Sequence, residues 1–414
     1  MDWNINLKHL MGEATQLVRR GHLADATRTL QQALGGAVAR HSSPPAPATS
    51  APTALPGEPA PPAAARAPLW RRPGAQADVE DVVVVDRSSH SAPPQATQDA
   101  NAPHPQAEPP GSFTRVAFAH AGARHHPQHY HLYVPPGAAA GTPLPLVLML
   151  HGCTQNPEDF ATGTGMNAAA APANALVLYP EQPHSANPNG CWNWFRPGDQ
   201  QRGGGEPALL VAMVRDVMDR HAVDAQRVYV AGLSAGGAMA ALLGREYPDV
   251  FAAVGVHSGL QAGAAHNVMG ALSAMKNGAK PGAATHPTGN APKRPPPPII
   301  VFHGDADPTV HAHNGEQLIE AQLSAHASAP EGARNTVQSV HRGQSPGGRG
   351  YTRTVHALAG DNAPAAVVAE HWVLHGAGHA WAGGHAGGSH TDQRGVSATA
   401  EMLRFFGDHR LAKH

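Results

Sequence analysis

Short apolar runs alternate with stretches of helical periodicity from about residue 112 to the end of the chain. An apolar run of roughly four to eight residues without polar alternation is typical of a strand that is covered on both faces. The alternation therefore predicts an α/β fold, with a mostly parallel central sheet and helices on both faces. The expected strands cover residues 146–150, 176–179, 228–231, 253–256, 299–302 and 372–374, and one expected helix covers residues 206–221.

The first part of the chain has a different composition. Residues 36–110 are dominated by Pro, Ala, Ser and Gln, and such a segment buries too little apolar surface to offset its ordering entropy. Residues 4–34 instead carry apolar side chains at helical spacing on both sides of Gly21, which predicts a helical hairpin. We therefore expect a hairpin over residues 1–35, a Pro/Ala-rich disordered linker over 36–110 and an α/β domain over 111–414.

Charge and hydropathy exclude several classes of function. The formal net charge of -1 gives no electrostatic reason to expect nucleic-acid binding. No stretch approaches the roughly 20 apolar residues of a membrane span, and charged residues interrupt every apolar run that could serve as a secretory signal. No cofactor is predicted. Solvated side chains are favoured over a metal site for the densest histidine cluster, because no acidic or Cys residue accompanies His125, His126, His129 and His131.

A candidate nucleophile lies at the centre of the sequence Gly-Leu-Ser-Ala-Gly, residues 232–236. A strand-like run precedes this G-x-S-x-G motif and a helix-like run follows it. A sharp strand-to-helix turn of this kind exposes the central residue, here Ser234, and requires small residues on either side. The positive end of the following helix favours a developing anion at the same place. The sequence therefore predicts Ser234 as a nucleophile.

A serine hydroxyl needs a base, and the base needs an orienting acid. In folds with this turn, the chain order is Ser, then Asp or Glu, then His. The predicted strand 299–302 is followed by Asp305 and Asp307, and Asp307 is preferred because it lies further beyond the strand end. The predicted strand 372–374 leads into a Gly-rich loop that ends at His379. His379 is preferred as the base over His375, which lies at the strand end.

An oxyanion formed at Ser234 needs backbone N–H donors. In this fold one donor is the residue after the nucleophile, which is Ala235, and the other comes from the loop after an early strand. The early strand here is 146–150, and either Gly152 or Cys153 is in position to donate.

Six motifs together resemble one known family. The chain is similar to the polyhydroxybutyrate-depolymerase family of esterases, a branch of the α/β-hydrolases that also contains feruloyl and acetylxylan esterases. The resemblance spans about residues 112–410. The matching motifs are LHGCTQNPEDF at 150–160, GCWNWF at 190–195, VYVAGLSAGGAMA at 228–240, VGVHSGL at 254–260, HGDADPTVHAHNG at 303–315 and GAGHAWAGG at 376–384.

The resemblance implies a role for several residues. It implies a triad of Ser234, Asp307 and His379, with the N–H of Cys153 as the second oxyanion donor. It also implies a disulfide between Cys153 and Cys191 that stabilises the oxyanion loop. The aromatic residues expected to line the acyl cleft are Trp192, Trp194, Phe195 and Trp381.

The expected function is hydrolysis of carboxylic esters by a serine esterase, with poly(3-hydroxybutyrate), its short-chain relatives or their oligomers as the expected substrate. Feruloyl or acetylxylan esterase activity is an alternative, and a non-catalytic binding protein on the same fold is an alternative of another class. Residues 4–34 are a candidate contact for a protein or a polymer granule. Members of the family are often extracellular, whereas no ordinary secretion signal is expected here, so the compartment stays open between the cytoplasm and non-classical export.

Overall fold

The computed structural model describes residues 111–119, 128–138, 141–280, 294–327, 336–359 and 366–412. All of these residues belong to one compact unit, Asp99–His414. The predicted hairpin over residues 1–35 and the predicted linker over 36–110 lie outside the described residues, as do His125 and His126.

A ten-stranded sheet dominates the described residues, and its spatial order is β1-β2-β4-β3-β5-β6-β7-β10-β9-β8. Six neighbouring strands of the sheet run parallel, in the spatial order β4-β3-β5-β6-β7-β10. The antiparallel pair β1 and β2 flanks them on one side, and the antiparallel pair β9 and β8 on the other. The predicted α/β fold with a mostly parallel sheet is confirmed. The strands are β1 Ser112–Phe118, β2 Gln128–Val134, β3 Leu144–Leu150, β4 Leu176–Pro180, β5 Val223–Leu233, β6 Ala253–His257, β7 Ile299–Gly304, β8 Thr336–Gln344, β9 Gly350–Leu358 and β10 Ala366–Leu374.

Helices cover both faces of this sheet, as the apolar runs predict. Alternate residues of β3 point to opposite faces, so that Leu146 and Leu148 enter one apolar core while Val147 and Met149 enter the other. The first core includes side chains of α3–α6, and the second includes side chains of α1, α2 and α7. The helices are α1 Pro157–Thr164, α2 Met166–Ala170, α3 Gly205–Arg220, α4 Ala235–Glu246, α5 Val268–Asn277, α6 His313–Ala327 and α7 Ala398–Gly407.

The loops after the parallel strands meet at one edge of the sheet. Strands β3, β5, β7 and β10 end at Leu150, Leu233, Gly304 and Leu374 respectively. Because parallel strands present their carboxyl ends at the same edge, the loops that follow these four residues lie together. A short parallel pair, β11 Trp381–Ala382 and β12 Thr391–Asp392, forms a second small sheet within the last of these loops.

None of the helices in the described residues is long and apolar enough to cross a membrane.

Candidate active site

Ser234 lies in the turn between β5 and α4, with φ 57° and ψ -119°. A non-glycine residue adopts a positive φ only where the surrounding structure holds it there. The N–H of Ser234 donates to the carbonyl of His257 at 2.9 Å, and its carbonyl accepts from Ala238 at 2.9 Å. A side chain at Gly232 would overlap the backbone of Gly236. The predicted need for small residues beside the serine therefore follows from the close backbone contacts of this turn.

Asp307 and His379 form a buried pair. The Nδ1 of His379 lies 2.7 Å from the Oδ2 of Asp307, and Oδ1 accepts the backbone N–H groups of Thr309 at 2.8 Å and Val310 at 2.9 Å. Burial alone would raise the pKa of Asp307, but the His379 hydrogen bond and charge and the two N–H groups hold it below its usual value. An ionised carboxylate at this place requires Nδ1 of His379 to carry the proton. The Nε2 nitrogen is then left as a base.

The competing residues form a second pair. Asp305 Oδ2 lies 2.9 Å from the Nδ1 of His375, and Oδ1 accepts the N–H of Gly376 at 2.6 Å. The Nε2 of His375 lies 2.9 Å from the hydroxyl of Thr352. The side chains of Asp305 and His375 are 40% and 47% exposed, whereas those of Asp307 and His379 are 0% and 12% exposed. Of the two pairs, only Asp307 and His379 are screened from water.

His257 joins the nucleophile turn to the loop that carries His379. Its backbone carbonyl accepts the N–H of Ser234, and its Nε2 lies 3.1 Å from the backbone N of Ala382, which donates to it. The ring stacks between Phe302 and Trp381, with centroids 5.8 Å and 5.3 Å away. Burial, with the charges of neighbouring histidines, lowers the pKa of His257 to about 3, so the ring stays neutral and Nε2 accepts. Sequence reasoning missed this residue, although it lies in the VGVHSGL motif.

The loop after β3 is held in three ways. The N–H of Gly152 donates to the side-chain oxygen of Gln155 at 2.9 Å, and the N–H of Thr154 donates to the carbonyl of Asn189 at 2.8 Å. The expected disulfide between Cys153 and Cys191 is confirmed, with an S–S distance of 2.08 Å. Gly152 is therefore already occupied as a donor. The N–H groups of Cys153 and Ala235 have no hydrogen-bond acceptor among the described residues.

Glu206, at the start of α3, organises the segment that carries Cys191. One of its carboxylate oxygens accepts the side-chain N–H groups of Gln182 at 2.6 Å and of Asn193 at 2.5 Å, and the other accepts the backbone N–H of Asn193 at 2.7 Å. Gln182 also donates to the carbonyl of Cys191 at 2.9 Å. Burial, with the nearby Asp199 charge, raises the pKa of Glu206 to about 7. A buried Glu inside a helix pattern has no distinctive sequence signal, so it was missed.

The structure places the aromatic residues expected at the acyl cleft mainly in the core. Trp192 and Trp381 are each 1% exposed and Trp194 is 5% exposed, whereas Phe195 is partly exposed. The ring N–H of Trp192 donates to the carbonyl of His151, and that of Trp381 to the hydroxyl of Thr399. Burial favours a packing role for all three tryptophans, and the hydrogen-bonded ring N–H groups of Trp192 and Trp381 favour it further. Their role in binding substrate stays a prediction.

The interpretation of His131 as a solvated histidine is wrong. His131 is 5% exposed, and its Nε2 lies 2.9 Å from a carboxylate oxygen of Glu158. The acidic partner is far away in the sequence and is brought to β2 by α1, so neighbouring residues gave no sign of it. In the part of the chain that the structure describes, no three His, Cys, Asp or Glu side chains are grouped to hold a metal ion.

Comparison with known proteins identifies relatives among esterases. Over 202 residues the chain is 35% identical to poly(3-hydroxyalkanoate) depolymerase C of Paucimonas lemoignei, covering 47% of each chain. It is 36% identical over 136 residues to feruloyl esterase B of Thermothelomyces thermophilus, covering 33% of this chain and 45% of the relative. The chain thus spans about half the length of these curated relatives.

A solved structure with the same fold is the acetyl xylan esterase from Aspergillus awamori. It superposes with a TM-score of 0.51 at 20% identity, over 72% of this chain and 100% of that chain. At this identity the likeness shows the fold alone.

The family described as esterase PHB depolymerase matches residues 128–341, a segment that contains Ser234 and Asp307. This segment is more than half of the 414-residue chain. The chain belongs to the esterase PHB depolymerase family.

Proposed function

We propose that this protein is a serine esterase that hydrolyses carboxylic esters through an acyl-enzyme intermediate. The observation that carries the proposal is the buried pair of His379 and Asp307, joined at 2.7 Å at the sheet edge where Ser234 is held at φ 57°. Ser234, Asp307 and His379 each follow a strand of this sheet in the chain order expected of a serine triad, and this order supports the proposal.

The chemistry follows from these groups. His379 takes the proton of the Ser234 hydroxyl as the oxygen attacks the ester carbonyl, and Asp307 holds the ring in the required tautomer and stabilises its charged form. The alcohol leaves with the proton from His379. A water molecule then repeats the sequence of steps on the acyl-enzyme and releases the acid.

The negative oxygen of each tetrahedral intermediate needs donors that are free before substrate arrives. The N–H groups of Cys153 and Ala235 meet this need, because no acceptor lies on either among the described residues. The N–H of Gly152, the alternative donor, is bonded to Gln155. Removal of one oxyanion donor typically costs about 2.7–4 kcal/mol of transition-state stabilisation.

The substrate class is proposed from the names of the relatives. A short-chain polyhydroxyalkanoate or its oligomers is the first choice, since a relative matched over 202 residues acts, by its name, on poly(3-hydroxyalkanoate). A feruloyl ester is the second choice, since another relative is named a feruloyl esterase. The Cys153–Cys191 disulfide supports export to an oxidising compartment.

The deciding experiment compares wild type, Ser234→Ala and Ser339→Ala on p-nitrophenyl butyrate, methyl ferulate and a poly(3-hydroxybutyrate) suspension. Ser339 is an exposed residue of the edge strand β8 and serves as the matched control. We expect Ser234→Ala alone to lose butyrate hydrolysis, and wild type to clear the polymer. Ferulate hydrolysis without clearing would move the substrate to the second choice. Folded wild type that hydrolyses none of the three would favour a binding protein.

A further inference from the structure

We propose that Gln155 is a positioning residue that holds the oxyanion loop, Gly152–Cys153, in the orientation that leaves the N–H of Cys153 free. The proposal rests on the proposed esterase function and adds a residue that acts on the transition state through its neighbour.

The Gln155 amide is buried and all of its bonding capacity is directed inward. The side chain is 7% exposed, and its oxygen accepts the N–H of Gly152 at 2.9 Å. Its nitrogen donates to the Oδ2 of Asp159 at 2.9 Å and lies 3.2 Å from both the carbonyl and the hydroxyl of Ser389. A buried amide with partners on both ends has one orientation, because flipping it would face donor with donor and acceptor with acceptor.

The partners of the amide nitrogen are themselves fixed. The carboxylate of Asp159 accepts the N–H of Ser389 at 2.8 Å and its hydroxyl at 2.6 Å. Burial would raise the pKa of Asp159, but these bonds and the one from Gln155 hold it lower, so the carboxylate stays an acceptor. The neighbouring residue His390 accepts the N–H of Trp381 through its carbonyl at 2.7 Å. Gln155 therefore joins the oxyanion loop to the loop that carries the base.

The amide acts on Cys153 through the peptide geometry. The N–H of Cys153 shares a planar peptide with the carbonyl of Gly152, which accepts the backbone N–H of Gln155 at 3.3 Å. The side-chain oxygen of Gln155 holds the N–H of Gly152, which belongs to the preceding peptide. Gln155 therefore bonds the peptides on both sides of Gly152, and this restricts how the Cys153 N–H can turn. A side chain at Gly152 would come within 3.0 Å of the Gln155 amide oxygen, which shows how closely the two residues contact. The disulfide and the Thr154–Asn189 bond hold the same loop from its other side, so loss of Gln155 should weaken the loop without releasing it.

The test compares an ester with its thiono analogue, in which sulfur replaces the carbonyl oxygen. Sulfur is a weak hydrogen-bond acceptor, so its tetrahedral intermediate gains little from the oxyanion N–H groups. For Gln155→Ala we expect kcat on p-nitrophenyl butyrate to fall about 10- to 100-fold with little change in KM, part of the effect of losing a whole donor. Hydrolysis of p-nitrophenyl thionobutyrate should fall much less, so the oxygen-to-sulfur rate ratio shrinks.

Two further variants make the result decisive. Gln322→Ala makes the same change at a glutamine that is 5% exposed and bonds the carbonyls of Pro297 and Val368, so it should lower stability and keep the ratio. Gln155→Met keeps about the side-chain volume but removes the oxygen that accepts the N–H of Gly152, and it decides the matter if the alanine variant does not fold. A folded Gln155 variant with the wild-type oxygen-to-sulfur rate ratio would overturn this inference and leave the proposed function standing. Wild type without Ser234-dependent hydrolysis would overturn the proposed function as well.

Discussion

Asp305 and Asp307 lie two residues apart, and only their surroundings distinguish them. The carboxylate of Asp307 is buried against His379, whereas that of Asp305 is 40% exposed and bonds His375. For Asp307→Asn we expect kcat to fall about 10³–10⁴-fold, because an amide nitrogen facing Nδ1 favours the wrong tautomer of His379. The control Asp305→Asn should lose a few-fold at most. Steady-state kinetics on p-nitrophenyl butyrate measures both, and a larger loss in Asp305→Asn would reverse the assignment.

The site residues that sequence analysis predicted are those with a local signal. Ser234 stands in a five-residue motif between a strand and a helix, and Asp307 and His379 each follow a predicted strand. Gln155 and His257 lie within two of the motifs and Glu206 lies in a helical pattern. Nothing local marks the roles of these three residues, because the roles come from partners far away in the chain. Gln155, for example, bonds Ser389, which is 234 residues further along. Such contacts depend on tertiary packing and cannot be read from one sequence.

The disulfide links two loops at the scale of structural elements. Cys153 and Cys191 are 38 residues apart, and by the loop-entropy relation such a link stabilises the folded state by about 4 kcal/mol. Reduction should therefore lower the midpoint of denaturant unfolding, and it should lower kcat because the oxyanion loop loses one support. Unfolding curves and kinetics with and without reductant, with free thiols counted, measure both effects. Unchanged kcat in fully reduced, folded protein would show that the bond does not support the loop.

Glu206 gives the stability of the described unit a pH dependence. Its pKa is raised from 4.5 to about 7 in the folded protein, so the folded state binds more protons than the unfolded chain in this interval. The Glu206 contribution is therefore fully present below pH 4.5 and is lost as pH rises through about 7. The full interval corresponds to about 3 kcal/mol of the free energy of unfolding.

Chemical denaturation at several pH values checks this dependence. We expect the free energy of unfolding to fall as pH rises from 4.5 to about 7 in wild type and in Glu320→Gln, a change at an exposed residue of α6. This fall should be absent in Glu206→Gln. An equal slope in Glu206→Gln would assign the pH dependence to other groups.

The two antiparallel pairs at the sides of the sheet were not predicted as strands from the sequence. The residues of β8 are almost all exposed, so neither an apolar run nor an alternating pattern marks the strand. The parallel strands carry such runs because helices cover both of their faces. The exposed strands β1 and β8 therefore carry no apolar signal. Strand β2 was missed although four of its seven residues are buried, because His129 and His131 interrupt its apolar run.

At the scale of the whole molecule, every candidate site residue lies within the unit Asp99–His414. We expect a chain that begins at residue 99 to hydrolyse p-nitrophenyl butyrate like the full chain, because a compact unit with its own core can fold alone. If residues 4–34 contact a polymer granule, the shortened chain should clear a poly(3-hydroxybutyrate) suspension more slowly while soluble-ester kinetics stay unchanged. Loss of soluble-ester hydrolysis in a folded shortened chain would make the first 98 residues part of the catalytic fold.

The most direct test of the nucleophile is covalent labelling with a fluorophosphonate, followed by peptide mass mapping. This reagent reacts with a serine that is activated by a base, and the phosphonyl oxygen takes the place of the oxyanion. We predict one label per chain on the peptide that contains Ser234, with no label in Ser234→Ala and strongly slowed labelling in a His379→Ala variant. Labelling at another serine, or none in folded and ester-hydrolysing wild type, would contradict the assignment of Ser234.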